Sequence, residues 1–526
     1  SGNVVNLGGI GGRLSMHIEG GSYASGAGRL NFIDQGEIIA DSSIEVPLEQ
    51  DGTIIAVPKT TLFCTAGKEN CVLHHRTTVG DVERIAVQTF IDRGDLIIES
   101  AEDLNERTFH TKTQLKYYQG DTYISRPDWS TFRQQTFVGG GQMTLRAKGK
   151  YLSQGGAYFA EGGGVIHGDQ GTTMQAITSI GEYYSITEKE KFLSSTTTEV
   201  RALSTHTTVV EIETGSSSNP IVIGSEEEES LTTVEGLISI GRKDGPGIVI
   251  QGGAGVKMLE HLIPEWMEVT VERSGLLSSS GPKADLNHVR GLKNIESLKY
   301  KDWLGFTTGM ITDAVAGYKT YNAIQGASWA KDLQVAGGVA IAAAILGEIF
   351  HAGVSFGEEV TVISQEGTTS IPNVIGKACT KDECSREGFF GIYSSGDVTI
   401  EHTKVNVKKI DGLILGHLNL KKGTDTQSTK VEQEKNTINF DISLNGVSVG
   451  VSHMDGESKQ DVSIHHATEF HAEEVTLVIN KKLELEGAMI DGEAIDIEAE
   501  EITVKDVINR VKSRSNFVQV GVGVMF

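Results

Sequence analysis

Short runs in which apolar and polar residues strictly alternate dominate the chain, as in Leu483-Glu484-Leu485-Glu486 and Ile495-Asp496-Ile497-Glu498. Alternation at period two turns one face of a strand inward and the other outward. The runs also recur at regular offsets. Gln88-Thr89-Phe90-Ile91 returns as Gln135-Thr136-Phe137-Val138, and Phe159 lies 22 residues beyond Phe137 (159 − 137). Val475/Leu477 matches Ile495/Ile497 at an offset of 20, and Leu483/Leu485 matches Ile502/Val504 at 19. Phe32-Ile33-Asp34-Gln35-Gly36 returns as Phe90-Ile91-Asp92-Arg93-Gly94 after 58 residues (90 − 32), a spacing that three turns of about 19 would give. A short strand cannot bury its apolar face alone, whereas coils of 19–22 residues stacked on one another align their Val, Leu and Ile into a continuous core. The pattern predicts a mainly β protein, a parallel β-helix or β-solenoid.

Two regions depart from this rhythm. The Thr-rich tract Ser194 to Thr208, then Val209 to Ser216 and the run Glu226 to Glu229, predicts antiparallel excursions near 190–240 that leave the stack. Asn445-Gly446, Asp455-Gly456 and Asp491-Gly492 are hairpin-turn pairs of the same implication. From 284 to 351 the spacing becomes helical, with Leu286, Val289, Ile295, Leu298, Trp303, Phe306 and Met310, then an Ala-rich run to Phe350. This predicts one α-helical insertion between a solenoid over 1–283 and its continuation over 352–526. The insertion's apolar and aromatic residues Trp303, Phe306, Trp329, Ile345, Leu346 and Phe350 are candidates for membrane or receptor contact.

Composition narrows the function. Lys and Arg number 46 against 70 Asp and Glu, a net charge of −24. Nucleic-acid binding needs clustered cations at phosphates, so no nucleic-acid partner is expected. The longest apolar stretch, Val335 to Leu346, is well short of the ~20 residues of a membrane-spanning helix. The first residues, Ser1-Gly2-Asn3-Val4-Val5, carry no signal-peptide pattern, and the chain is expected to be a processed or internal piece of a longer protein.

The four cysteines form two local pairs, Cys64/Cys71 and Cys379/Cys384. They are disulfide candidates, each loop worth roughly 2–2.5 kcal/mol of loop entropy, and imply an oxidising, extracellular setting. Motifs for catalysis fail on context. Gly353-Val354-Ser355-Phe356-Gly357 matches a nucleophile elbow, but a strand-like run follows it where a helix belongs. Gly253-Ala254-Gly255 lacks the third glycine of a dinucleotide loop. His74-His75 and His465-His466 each put neighbours on opposite faces of a strand, so neither pair presents two metal ligands together. No catalytic, cofactor or metal residues are assigned, and with no catalytic constellation in view the chain is not expected to be an enzyme. A carbohydrate-active β-helix, lyase or tailspike-like hydrolase, is the alternative; a passive stalk is a third.

The stretch Leu483-Glu484-Leu485-Glu486-Gly487-Ala488-Met489-Ile490-Asp491-Gly492, running on through Ile502-Thr503-Val504 to Lys512-Ser513-Arg514-Ser515 and Val520-Gly521-Val522-Gly523-Val524, resembles the repeats of the filamentous-haemagglutinin family. The Thr-rich tract Ser195 to Thr208 is similar to the same region. The resemblance implies a segment of a large exoprotein of Gram-negative bacteria, secreted through an outer-membrane two-partner secretion transporter. Such proteins are adhesins or the stalks of contact-dependent growth-inhibition toxins, with a target-cell receptor or membrane as partner. About twenty coils at ~4.8 Å each are expected to project on the order of 100 Å.

Alkylation of the secreted chain under non-reducing conditions, followed by intact-mass measurement, should show no label on Cys64, Cys71, Cys379 or Cys384. Uptake of four labels would rule the disulfides out.

Overall fold

The computed structural model describes strands between Val4 and Thr77 as backbone, and residues 80–525 apart from 92–93, 192, 216–218, 242–246, 278–353, 377–387 and 444–445. The predicted helical insertion, 284–351, therefore lies outside the described residues, as do the coil Phe32 to Ile39 and Cys379 and Cys384.

Three strands make each coil, and each strand pairs in parallel with its counterpart one coil on. The first coil with described side chains comprises Gln88–Ile91, Gly94–Ser100 and Leu104–Arg107. Its first strand pairs with Thr61–Cys64 before it and Gln135–Val138 after it, in the register Gln88 with Gln135 and Phe90 with Phe137 that the sequence repeat gives. The coil before Phe90 thus brings Phe63, 27 residues earlier (90 − 63), into register with it. At the other end Val475 pairs with Ile495, Leu477 with Ile497, Leu483 with Ile502 and Leu485 with Val504, the predicted offsets of 20 and 19. The stack is continuous across the 278–353 segment, because Leu237–Gly241 pairs with Asn373–Gly376 and Ile248–Gly252 with Phe389–Ser394.

Inside the coils, side chains line up in ladders. One runs Ile221, Ile248, Phe390, Ile410, Val475 and ends on Ile495. All but the last are buried, each fully buried aliphatic worth roughly 1.5–3 kcal/mol. Phe90, Phe137 and Phe159 stack at 4.9 and 4.6 Å, but they sit on the outer face of the first strands; Thr89/Ile91 and Thr136/Val138 point inward.

The excursions follow a rule. Among the described residues the hairpins leave the solenoid at the corner between a third strand and the next first strand, at alternate coils. The hairpins are Phe109–Gln119 with Thr122–Phe132, Ile177–Lys191 with Ser194–Thr208, His261–Leu277 with Val354–Ile371, and Gly423–Ser443 with Gly446–His466; Arg510–Met525 adds a last strand. Neighbouring hairpins pair with one another, so nine strands form one antiparallel sheet beside the solenoid. At the intervening corners the chain turns tightly on one residue with positive φ: Ala86 (52°), Gly155 (62°), Gly236 (63°), His402 (37°) and Gly487 (58°). Amides of both kinds of corner continue the parallel ladder, as in Thr108 N–H to the Gln154 carbonyl and Gly155 N–H to the Gln175 carbonyl, both 2.9 Å.

Two expectations need correction, and the solenoid interior adds a feature that neither anticipates. The Thr-rich tract Ser194–Thr208 does leave the stack, but Val210–Thr214 is already back in it and Glu226–Glu229 is an exposed solenoid corner. Nine coils, rather than about twenty, lie between Gln88 and Lys505, because the hairpins consume chain without adding rise; at ~4.8 Å per coil they extend on the order of 45 Å. Nor do all charges point outward. Arg84 and Glu106 are fully buried neighbours in one interior ladder, hydrogen-bonded to each other. Glu106 also accepts hydrogen bonds from the hydroxyls of Tyr151 and Tyr158 (2.7 Å each) and from Gln134 Nε2 (3.2 Å), while Arg84 donates to Thr89. Burial, then the Glu106 charge, holds both tyrosines well above the usual phenol range.

Removing one partner of a buried ion pair strands the other charge. Glu106→Leu should lower unfolding stability by about 3–5 kcal/mol, whereas Arg84→Met with Glu106→Leu should recover most of it. Urea unfolding checks both; equal losses in the single and double variants would contradict the pairing.

Candidate interaction surface

The nine-stranded sheet has an inner and an outer face, set by the period-two alternation of its strands. The inner face carries a cross-strand row Ser185, Val200, Val269, Ile363, Val431 and Ser458, all buried. Along that face Phe517 lays its ring over Gly456, where a Cβ would sit 2.1 Å from the ring, so the glycine makes the aromatic's seat. Glu359, also on the inner face, is held by Gln433 at 2.8 Å and Lys435 at 3.8 Å.

The outer face is charged over most of its area, with Lys430, Glu432, Glu434, Asp455, Glu457 and Lys459 crossing it in pairs such as Lys430–Glu457 (3.5 Å). Towards the hairpin tips this changes. Phe356, Ile438, Val451 and Val522 pair in register across four strands, and their exposure climbs from 37 and 46 to 61 and 74%. Val520 and Val518 follow on the same face of the last strand, at 60 and 56%. Exposed apolar residues scattered singly need no explanation, but a contiguous row rimmed by charge marks an interaction site. The row lies two residues from Val354, where segment 278–353 rejoins the sheet opposite Leu277.

The last coil offers a second apolar surface. Ile495, Ile502 and Val504, which continue interior ladders from Val475, Leu483 and Leu485, are all about half exposed or more because no described coil stacks on them.

The residues singled out from sequence do not gather here. Trp303, Phe306, Trp329, Ile345, Leu346 and Phe350 lie outside the described residues. Cys64 ends one strand and Cys71 begins the next, in register with Ile91 and Gly94, so the pair flanks a corner between first and second strands. Cys379 and Cys384 lie outside the described residues. Ser355 sits within a long antiparallel strand, which is not the setting of a nucleophile elbow. His466 is buried with Asp425 at 2.7 Å and His465 meets Thr424, so the two are spent separately. Among the described residues no three His, Cys, Asp or Glu side chains gather to hold a metal ion, and no helix is long and apolar enough to cross a membrane.

The outer apolar row went unpredicted, although the alternation in Val518-Gln519-Val520-Gly521-Val522 was visible. What one strand does not reveal is that Phe356, Ile438 and Val451, up to 166 residues away (522 − 356), share its face. Neither the curated proteins nor the solved structures offer a match to the chain. Residues 354–519, which hold the returning strand of the third hairpin, the whole fourth hairpin, the coils on either side of it and most of the last strand, match the hemagglutinin repeat family; the chain therefore carries a filamentous-haemagglutinin-like repeat region, of a kind associated with adhesin-like, secreted or cell-surface proteins.

Proposed function

We propose that the chain makes contact with a target cell through the outer face of its antiparallel sheet, the solenoid serving as the rigid support that holds that face out. The supporting observation is the exposed row Phe356, Ile438, Val451 and Val522 with Val518 and Val520. Burying such a row against a receptor or lipid surface supplies affinity, while the surrounding Lys and Glu residues set orientation. Delivery of an attached toxin is the companion role implied by the haemagglutinin-type repeats, and it begins with the same contact. Export through a two-partner secretion transporter of a Gram-negative cell, and disulfides at Cys64/Cys71 and Cys379/Cys384, belong to this reading.

The purified chain should bind intact bacterial or animal cells saturably, and Val451→Asp with Val520→Asp should weaken binding at least tenfold while leaving the circular dichroism spectrum and melting temperature within a few degrees. Unchanged binding by a folded double variant would move the contact elsewhere.

A further inference from the structure

Five histidines mark the line along which the sheet meets the solenoid. His110 and His261 stand at the start of outgoing strands, His206 and His466 at the end of returning ones, and His402 occupies one of the tight corners between them. His206, His261, His402 and His466 are buried and His110 is half-buried. Their rings tie one hairpin to another. His110 Nδ1 meets Ser179 Oγ at 2.8 Å and its Nε2 meets Thr208 Oγ1 at 2.9 Å, joining the first hairpin to the second. His206 Nε2 reaches back to Thr131 Oγ1 at 2.6 Å. His261 joins Thr178 of the second hairpin to Glu235 of the solenoid, 2.6 Å on each side. His402 meets Ser370 of the third hairpin, and His466 meets Asp425 of the fourth.

Four of the five face each other in pairs. The His110 and His206 rings lie 4.7 Å apart, with Trp129 stacked on His206 at 5.7 Å; His402 and His466 are stacked at 5.0 Å and 13°. His402 is also in a backbone conformation that its equivalents Gly155, Gly236 and Gly487 adopt without a side chain. A non-glycine residue there carries strain that persists only where surrounding contacts over-determine it.

We infer that the histidine seam is an acid-sensitive latch: protonation sets like charges face to face within each pair and loosens the bases of the hairpins while the solenoid ladders stay intact. The charges around the seam give the order of release. His110 faces His206 and Arg133, the latter held by Glu211 at 2.7 Å; burial first, then these two cations, lowers its pKa to about 4, and burial lowers that of His206. His402 faces His466, Lys404 and Glu260, and burial, then His466, holds it well below the usual range. Glu260 works the other way. Burial raises its carboxyl, so it takes up a proton more readily in the closed state and resists release at the fourth hairpin. Glu235 faces His261 at 2.6 Å and Asp425 faces His466 at 2.7 Å. A histidine whose pKa is lower in the closed state contributes its full stability above about pH 6.5 and loses it as pH falls toward about 4. The first two hairpins, joined through His110 and His206, therefore loosen first.

Hydrogen exchange read by mass spectrometry on the full chain, corrected for intrinsic pH dependence, tests the latch between pH 7.5 and 4.5. Protection within 109–132 and 177–208 should fall at least tenfold across that range, while 237–259 in the solenoid holds. Hairpin protection that is independent of pH, or hairpins and solenoid failing together, would overturn the inference. A second readout uses a chain whose only tryptophan is Trp129, with Trp266, Trp303 and Trp329 replaced by Phe. Its fluorescence should titrate with His206 at a midpoint below 6.5. Ring-proton NMR of His110 should show a midpoint near 4 that His206→Gln moves upward by removing the facing charge; an unmoved His110 midpoint would contradict the pairing. His402→Gly, which relieves the backbone strain, should stay folded at pH 7.5 and make the fourth hairpin's exchange less dependent on pH than in the parent chain. Equal pH dependence in the two chains would remove that pair from the latch.

Discussion

Two β-strands laid side by side span the same width as two stacked coils, ~9.6 Å at ~4.8 Å per strand, and this equality is what the rest of the structure depends on. A solenoid that sent a hairpin from every coil would crowd two strands into the rise of one. One that sent a hairpin from every third coil would leave gaps in the sheet. With one hairpin per two coils, each pair of excursion strands lands beside the next, and nine strands close into a continuous antiparallel sheet whose ladder advances in step with the solenoid. The corner chemistry alternates accordingly. At one coil the chain departs through Thr108, Ala176, Glu260 or Lys422; at the next it turns on a single left-handed residue, Gly155, Gly236, His402 or Gly487.

The two sheets then divide the work. The solenoid holds the aliphatic ladders and, near its described N-terminal end, a buried cluster of Arg84, Glu106, Tyr151 and Tyr158 in which Glu106 is satisfied on both oxygens. The hairpin sheet buries a thinner core on one face, built from Ile124, Tyr183, Val200, Ala202, Val269, Val271, Ile363 and Val431. Its other face is free to carry charge and, at the tips, the exposed apolar row. Because the hairpins are anchored at alternate corners, a change at the seam acts on the bases of strands up to 21 residues long.

How much of this was legible in the chain depends on where hairpins intervene. The final two coils follow each other without an excursion, and there the offsets of 20 and 19 between Val475 and Ile495 and between Leu483 and Ile502 translate directly into register. Gln88 and Gln135 are also adjacent-coil partners, yet their offset of 47 includes a whole hairpin, which is why a fixed coil length overestimates the number of coils. Val210–Thr214 was assigned to the excursion because its alternation is the same inside or outside the stack; only pairing with Ala157–Ala160 and Leu237–Gly241 distinguishes the two. Arg84 and Glu106, 22 residues apart (106 − 84), carry the coil offset, but charged residues in an alternating run read as outward-facing unless the partner is sought one coil away. Of the seam histidines only His466 was weighed from sequence, and with its neighbour His465, whereas the pairs that matter, His110 with His206 and His402 with His466, are formed between residues 96 and 64 positions apart (206 − 110, 466 − 402).

The most direct measurement compares two deletions by hydrogen exchange of the hairpin strands. Removing 156–236 takes out two coils and the second hairpin and joins Gly155 to Leu237, leaving every remaining excursion two coils from its neighbour. Removing 134–155 takes out one coil and brings the first two hairpins to a single-coil spacing. The account predicts that 109–132 and 261–277 stay protected in the first variant, and that 109–132 loses protection in the second while the solenoid core keeps its own. Equal protection of 109–132 in both variants would contradict the claim that two-coil spacing builds the sheet.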